Sequence, residues 1–100
     1  MQVFIRIFNR ENETRISADD NTNKLIVNGK NVKFDAVSFV EQISVITAGW
    51  KESYLNNTVL DGEEFMVLIK NGKKERQMVG KNSFPFNYGD FKELISGVTG

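Results

Sequence analysis

The chain has no histidine and no cysteine among its 100 residues. Without them it cannot form a Ser-His-Asp triad, a Cys-His pair or a zinc site of thiolate and imidazole ligands. Disulfide bonds are excluded as well, so a hydrophobic core must stabilise the fold. Apolar residues make up 40% of the chain, which is sufficient for such a core. These absences predict a protein that is not an enzyme and uses no cofactor.

Long apolar runs are also missing. No segment approaches the roughly 20 residues needed to cross a bilayer. The chain starts with MQVFIR, which has neither a basic leader nor a small-residue cleavage site. We therefore expect a cytoplasmic protein without a membrane partner. Its length fits a single domain over residues 1–100 and is too short for two domains of ordinary size.

Neither sign of charge is in excess, because 13 basic residues are balanced by 13 acidic ones. This balance argues against a dedicated DNA-binding domain and against an acidic mimic of nucleic acid. The charges are nevertheless separated along the chain. Residues 11–20 and 61–64 each carry a net charge of −3, whereas residues 70–81 hold five basic residues and one acidic residue. The sequence therefore predicts an electrically polarised molecule.

The first half of the chain predicts strands followed by a helix. Residues 2–8 are apolar apart from one arginine, which is typical of a largely covered, central strand. Asn28-Gly29 lies between two further strand-like segments and favours a hairpin turn, because both residues accept positive φ. Asp35 then precedes apolar residues at helical spacing, which predicts a helix over about 36–48 with Asp35 as its N-cap.

The second half repeats this arrangement. Residues 65–69 form an apolar strand, Asn71-Gly72 predicts a second hairpin turn, and residues 73–79 form a more polar return strand. A last helix follows. We expect Asn87 to cap this helix, with Asp90 completing a capping-box-like pair.

The predicted order of elements is β(β)ββα followed by ββα, with residues 51–63 as an irregular connection. Strands that precede helices without a βαβ rhythm favour an α+β fold. We expect an antiparallel sheet of about four to six strands, built from Asn-Gly hairpins, with both helices on one face. The two hairpins also suggest an internal ββα repeat over residues 24–48 and 64–98.

Residues 50–95 carry a pattern that consists of Trp50, Tyr54, Asp61-Gly62, Gly80-Lys81-Asn82-Ser83-Phe84-Pro85, Asn87-Tyr88, Phe91 and Leu94-Ile95. This pattern resembles an uncharacterised family of small bacterial α+β proteins. The resemblance implies a bacterial or phage origin and a compact α+β unit, and it implies no known activity. Gly62 and Gly80 are predicted to adopt backbone angles closed to other residues.

Motifs for metal binding and catalysis are incomplete. Residues 19–23 start like a calcium-binding loop, but Lys24 and Lys30 occupy the positions of the required glycine and glutamate. Glu63 and Glu64 are adjacent on a predicted strand, so their side chains point to opposite faces and do not converge on a substrate. The sequence therefore predicts no catalytic, cofactor-binding or metal-binding residue.

The basic hairpin over residues 70–81 is the strongest candidate for a binding surface. Its cations favour an acidic protein partner, although lysines also protect the edges of sheets. Tyr54 stands beside a loop, where an exposed tyrosine is a typical interface anchor. The predicted partner-binding residues are Lys70, Lys73, Lys74, Arg76, Lys81 and Tyr54.

These observations predict a non-enzymatic protein-binding module, such as an accessory protein, a regulator or an inhibitor of the immunity type. One alternative is nucleic-acid binding by the same hairpin, with Phe84, Phe86 or Tyr88 stacking on bases. Another alternative is a structural component that self-associates through its strand edges.

Overall fold

The computed structural model describes residues 1–56 and 62–99, and these form the predicted α+β fold. Two helices accompany seven strands. The strands are β1 (Gln2–Phe8), β2 (Glu13–Asp19), β3 (Lys24–Val27), β4 (Lys30–Asn31), β5 (Ser53–Leu55), β6 (Glu64–Asn71) and β7 (Lys74–Lys81). The helices are α1 (Ala36–Ile46) and α2 (Tyr88–Thr99).

All seven strands belong to one sheet, in the order β4-β3-β2-β1-β6-β7-β5. The strand at residues 2–8 is central, as predicted, and pairs antiparallel with β2 and β6. One edge differs from the prediction, because β5 pairs parallel with β7 within the segment expected to be irregular. Three residues are too few to show a strand period, so the pairing partner alone makes this segment a strand.

The two hairpin turns use their glycines differently. Asn28 and Gly29 both have positive φ, 50° and 82°, as predicted for the first turn. In the second hairpin Asn71 pairs with Lys74, so the central residues are Gly72 and Lys73. Only Gly72 has positive φ there, which is the pattern of a type II′ turn and shifts the turn by one residue. The internal repeat built on these hairpins stays a prediction.

The core lies between one face of the sheet and the two helices. Alternate residues of β1 are buried, and the intervening ones are half-buried or exposed. Asp35 begins α1 as predicted, since its carboxylate accepts hydrogen bonds from the backbone amides of Val37 and Ser38 at 3.0 and 3.2 Å. The largest fully buried side chains are Phe39, Phe65, Phe91, Leu25, Ile43 and Met78.

Gly62 and Gly80 are explained by close approach and not by special backbone angles. Among the described glycines only Gly29 and Gly72 have positive φ. A Cβ atom on Gly80 would lie 2.0 Å from the ring of Phe65, and one on Gly62 would lie 1.6 Å from Oδ1 of Asn82. The expectation about their backbone was therefore wrong, because the requirement comes from neighbours that are distant in sequence.

The helices are short. The longer one, α2, has 12 residues. In the part of the chain that the structure describes, neither helix has the length and apolar character that crossing a membrane requires.

Candidate functional site

The structure does not bring the six predicted binding residues together. Lys73 and Lys74 are exposed at the tip of the β6–β7 hairpin. Lys81 lies at the other end of β7, about 23 Å from Lys74 at 3.3 Å per residue. Lys70 lies beside the tip, and its ammonium group is 3.5 Å from the carboxylate of Glu75. The hairpin therefore presents a small basic tip and not a continuous basic strip.

Arg76 points to the core face of β7, toward the helices. Its guanidinium group donates hydrogen bonds to the backbone carbonyls of Thr47 and Trp50, the latter at 3.3 Å. Carbonyls at the end of a helix lack partners within the helix and carry partial negative charge. Arg76 therefore fixes the end of α1 to the sheet, and it is engaged within the protein.

Tyr54 is half-buried on the same face of the sheet as Arg76. Its ring centroid lies 6.3 Å from that of Phe65, and its hydroxyl accepts a hydrogen bond of 2.9 Å from the backbone amide of Lys51. Both polar and apolar parts of the side chain have partners inside the protein. Tyr54 thus contributes to packing beneath β5.

The aromatic residues after β7 close one end of the core. Phe84 stacks on Tyr88 with 4.5 Å between the ring centroids, and Pro85 is buried. Phe86 is the exception, because it is 97% exposed. Two of the three residues considered for base stacking are therefore packed against each other.

Glu63 anchors α2 from outside the core. Its carboxylate accepts hydrogen bonds of 2.5 Å from the hydroxyl of Tyr88 and of 2.5 Å from the ammonium group of Lys92. Burial, together with this carboxylate, raises the pKa of Tyr88 above its ordinary value. The neighbouring residue of the predicted acidic segment, Asp61, lies outside the described residues. Within residues 1–56 and 62–99 no three acidic side chains are grouped as ligands for a metal ion.

A groove lies on the outer surface between α1 and α2. Its lining includes the apolar side chains of Phe34, Ile46 and Leu94, together with the polar side chain of Gln42. Two carboxylates of α2, those of Asp90 and Glu93, line the same groove and are exposed. We call this feature the interhelical groove. It combines a concave shape, apolar side chains and charge of one sign.

Asn87 holds the two helices together at one end of this groove. Its Nδ2 donates a hydrogen bond of 2.9 Å to the backbone carbonyl of Ile46, and its Oδ1 accepts one of 2.7 Å from Nε1 of Trp50. The predicted capping of α2 by this side chain is therefore wrong. Asn87 stands just before α2, but the carbonyl of Ile46 and the indole of Trp50 offer its amide an acceptor and a donor at once.

The charge of the groove is not neutralised by its own helices. Helix α1 contains no basic residue, and its only charged residue is Glu41. The only basic residue of α2 is Lys92, whose ammonium group is bonded to Glu63. The carboxylates of Asp90 and Glu93 therefore make the groove electronegative.

Gly97 lines the groove and lacks a structural reason to be glycine. It has no positive φ, and a Cβ atom there would meet no heavy atom within 4 Å. Glycine inside a helix costs up to about 1 kcal/mol relative to alanine. Because glycine has no side chain, the groove stays open at this position of α2. A glycine within a helical pattern was the one sign of the groove in the sequence, and sequence reasoning missed it.

Comparison of the chain with protein-family models, curated proteins and solved structures gives no significant match. The resemblance of residues 50–95 to small bacterial α+β proteins therefore stays a prediction.

Proposed function

We propose that this protein is a non-enzymatic protein-binding module that holds a basic, amphipathic segment of a partner in the interhelical groove. The observation that carries the proposal is the combination of apolar side chains in the groove with the carboxylates of Asp90 and Glu93. An accessory protein, a regulator or an inhibitor would act in this way, by occupying a partner's segment. The cytoplasmic location and the bacterial or phage origin expected from the sequence are part of the same proposal.

The chemistry of the groove selects the segment. Helical segments bind in grooves by inserting apolar side chains spaced at i, i+3, i+4 and i+7. Phe34, Ile46 and Leu94 supply the apolar contacts for such a row. Lysines or arginines beside the row would lie next to the carboxylates, which favours the correct partner and repels an acidic one.

The acidic partner predicted from the basic hairpin has less support. Lys73 and Lys74 remain exposed for such a contact, whereas Arg76 and Tyr54 are engaged with the helices and with Phe65. Phe86, the one fully exposed aromatic near the hairpin, follows the end of β7 opposite to the tip. The geometry therefore favours a protein segment in the groove over nucleic acid on the hairpin.

Two synthetic peptides of about 18 residues, a length typical of helical segments, test the proposal. Both carry leucine at i, i+3, i+4 and i+7, and their remaining positions are lysine in one and glutamate in the other. We expect fluorescence anisotropy to show binding of the lysine peptide and none of the glutamate peptide. Equal binding of the two peptides, or binding of neither, would contradict the proposal.

Two variants locate the binding site. Glu93→Lys should weaken the lysine peptide roughly 5- to 10-fold, because it reverses a charge at the rim. Gly97→Leu should weaken it at least about 10-fold by filling the groove, while leucine maintains or improves helix stability. Glu11→Lys is the matched control, because it makes the same charge change in the turn between β1 and β2. An equal loss of affinity in the control would show that the peptide is attracted by the overall charge of the protein and not bound in the groove.

A further inference from the structure

The face of the sheet turned away from the helices is apolar at its centre. Phe4 and Leu68 are directly paired across β1 and β6, and Met66 and Val79 are paired across β6 and β7. Ile26 lies on the same face of β3, separated from Phe4 by Ser17 of β2. All five side chains are only half-buried, and neither α1 nor α2 covers them. We call this surface the open face.

Such a composition is unusual for a sheet face in water. Antiparallel sheets with one face on the core normally alternate apolar and polar residues, so that the outer face is polar. The outer faces of β1 and β6 instead mix apolar and polar side chains, with Phe4, Met66 and Leu68 among the apolar ones. A group of partly exposed apolar side chains on an uncovered sheet face is a candidate interaction site.

At one end of the open face, oppositely charged side chains are neighbours. The ammonium group of Lys70 lies 3.5 Å from the carboxylate of Glu75. Asp19 and Lys24 are paired in register on β2 and β3. This end therefore carries both signs in equal number.

The other end of the open face also carries both signs, and its cations extend toward the centre, where Arg6 is paired in register with Met66. Glu13 forms ion pairs with Arg6 and with Arg15, the latter at 3.2 Å. Glu64 and Lys81 are paired in register on β6 and β7. A surface with both signs at each end gives no preference for a phosphate backbone or a strongly charged partner. It is suited to a surface that also carries both signs at each end.

The size of the open face matches a modest dimer interface. Strands β3, β2, β1, β6 and β7 are adjacent, which gives a width of about 24 Å, and seven residues give a length of about 23 Å. The footprint is on the order of 550 Å² per copy, or roughly 1,100 Å² for two copies. A specific interface needs roughly 1,000 Å² in total.

We propose that the open face is the interface between two copies of this chain. The copies are related by a twofold axis, so the apolar patch of one covers the patch of the other and their sheets stack about 10 Å apart. The predicted self-association through strand edges is disfavoured, because the edge strands β4 and β5 have only two and three residues. This inference does not depend on the interhelical groove, which lies on the other side of the sheet.

Sedimentation equilibrium over about 1 to 500 μM tests the proposal, a range that includes the dissociation constants of modest interfaces. We expect the native chain to change from monomer to dimer within it. Leu68→Lys should raise the dissociation constant at least about 100-fold, because it places an unpaired charge in the apolar patch. Val45→Lys is the matched control on α1, where Val45 is 72% exposed, and should dimerise like the native chain. A native chain that stays monomeric throughout would overturn the proposal.

Spin labelling gives a second measurement that does not rely on Leu68. Because the chain lacks cysteine, Ser17→Cys and Val45→Cys each offer one labelling site. Ser17 is paired with Phe4 on the open face, so two labels there should be within about 25 Å of each other. Labels at position 45 should be beyond about 35 Å, since two sheets and two helix layers separate them. The reverse order of distances would overturn the proposal.

The test of dimerisation and the test of peptide binding in the interhelical groove can fail independently of each other. Gly97→Leu should lose the lysine peptide and still dimerise, whereas Leu68→Lys should lose the dimer and still bind the peptide. A dimer that disappears with Gly97→Leu, and persists with Leu68→Lys, would overturn the assignment of the open face.

Discussion

The two faces of strand β6 have similar residues and different surroundings. Phe65, Val67 and Ile69 are buried beneath the helices, whereas Met66 and Leu68 are half-exposed on the open face. In sequence these residues are one uninterrupted apolar run. The comparison shows that apolar character alone does not identify the core, because burial depends on which face the helices cover.

The largest expected effect on stability distinguishes the two faces of β6. Phe65→Ala should lower the free energy of unfolding by about 3–5 kcal/mol, because a fully buried aromatic side chain leaves a cavity. Leu68→Ala should cost about 1 kcal/mol or less in the monomer, since much of that side chain already meets water. Urea denaturation at low protein concentration measures both. Equal losses would mean that the open face is packed in the monomer too.

A smaller effect separates two cations on the same side of β7, one inside the protein and one at the exposed hairpin tip. Arg76→Met should lower the free energy of unfolding by about 1–3 kcal/mol, because two carbonyls at the end of α1 lose a charged donor. Lys74→Met, two residues earlier on the exposed tip, should change it by less than about 0.5 kcal/mol. Chemical denaturation of both variants distinguishes a structural cation from a surface cation. A comparable loss for Lys74→Met would assign the hairpin tip a structural role.

The smallest effect is the change in stability with pH that comes from Tyr88, on the side of the sheet that the helices cover. The folded protein holds the pKa of Tyr88 above that of an unfolded chain, about 10, because the phenol is partly buried beside the carboxylate of Glu63. The neutral phenol is therefore favoured by folding. Its contribution to stability is complete below pH 10 and is lost as the pH rises above that value.

Tyr88→Phe isolates this contribution. The difference in the free energy of unfolding between the native chain and Tyr88→Phe should shrink or change sign from pH 9 to pH 11, since only the native chain has this phenol to ionise. Denaturation at a series of pH values measures it. A difference that grows with pH would show that folding favours the phenolate instead.

Local signals predicted much of the fold. Asp35 before an apolar helical repeat and Asn28-Gly29 between strand-like segments both act through their immediate neighbours, and the structure has them as expected. Residues whose roles depend on distant partners were not predictable in this way. Asn87 has the sequence position of a helix cap, but its amide bonds to Ile46 and Trp50.

The candidate site was less predictable than the fold for the same reason. The basic hairpin was conspicuous because its charges are close in sequence, yet Arg76 turns inward and Lys81 lies at the far end of the strand. The interhelical groove joins Phe34 to residues of α2, which are about 60 positions later in the chain. No local pattern connects residues that far apart.

The sequence by itself determined the α+β class, the central position of residues 2–8 and the absence of histidine and cysteine chemistry. These follow from composition, turn residues and periodicity, which act over a few residues. Only the tertiary structure decided which face of each apolar strand is core, which cations are exposed and where a groove opens between the helices. Those properties depend on where the helices lie on the sheet, and side-chain periodicity fixes the two faces of a strand without choosing between them.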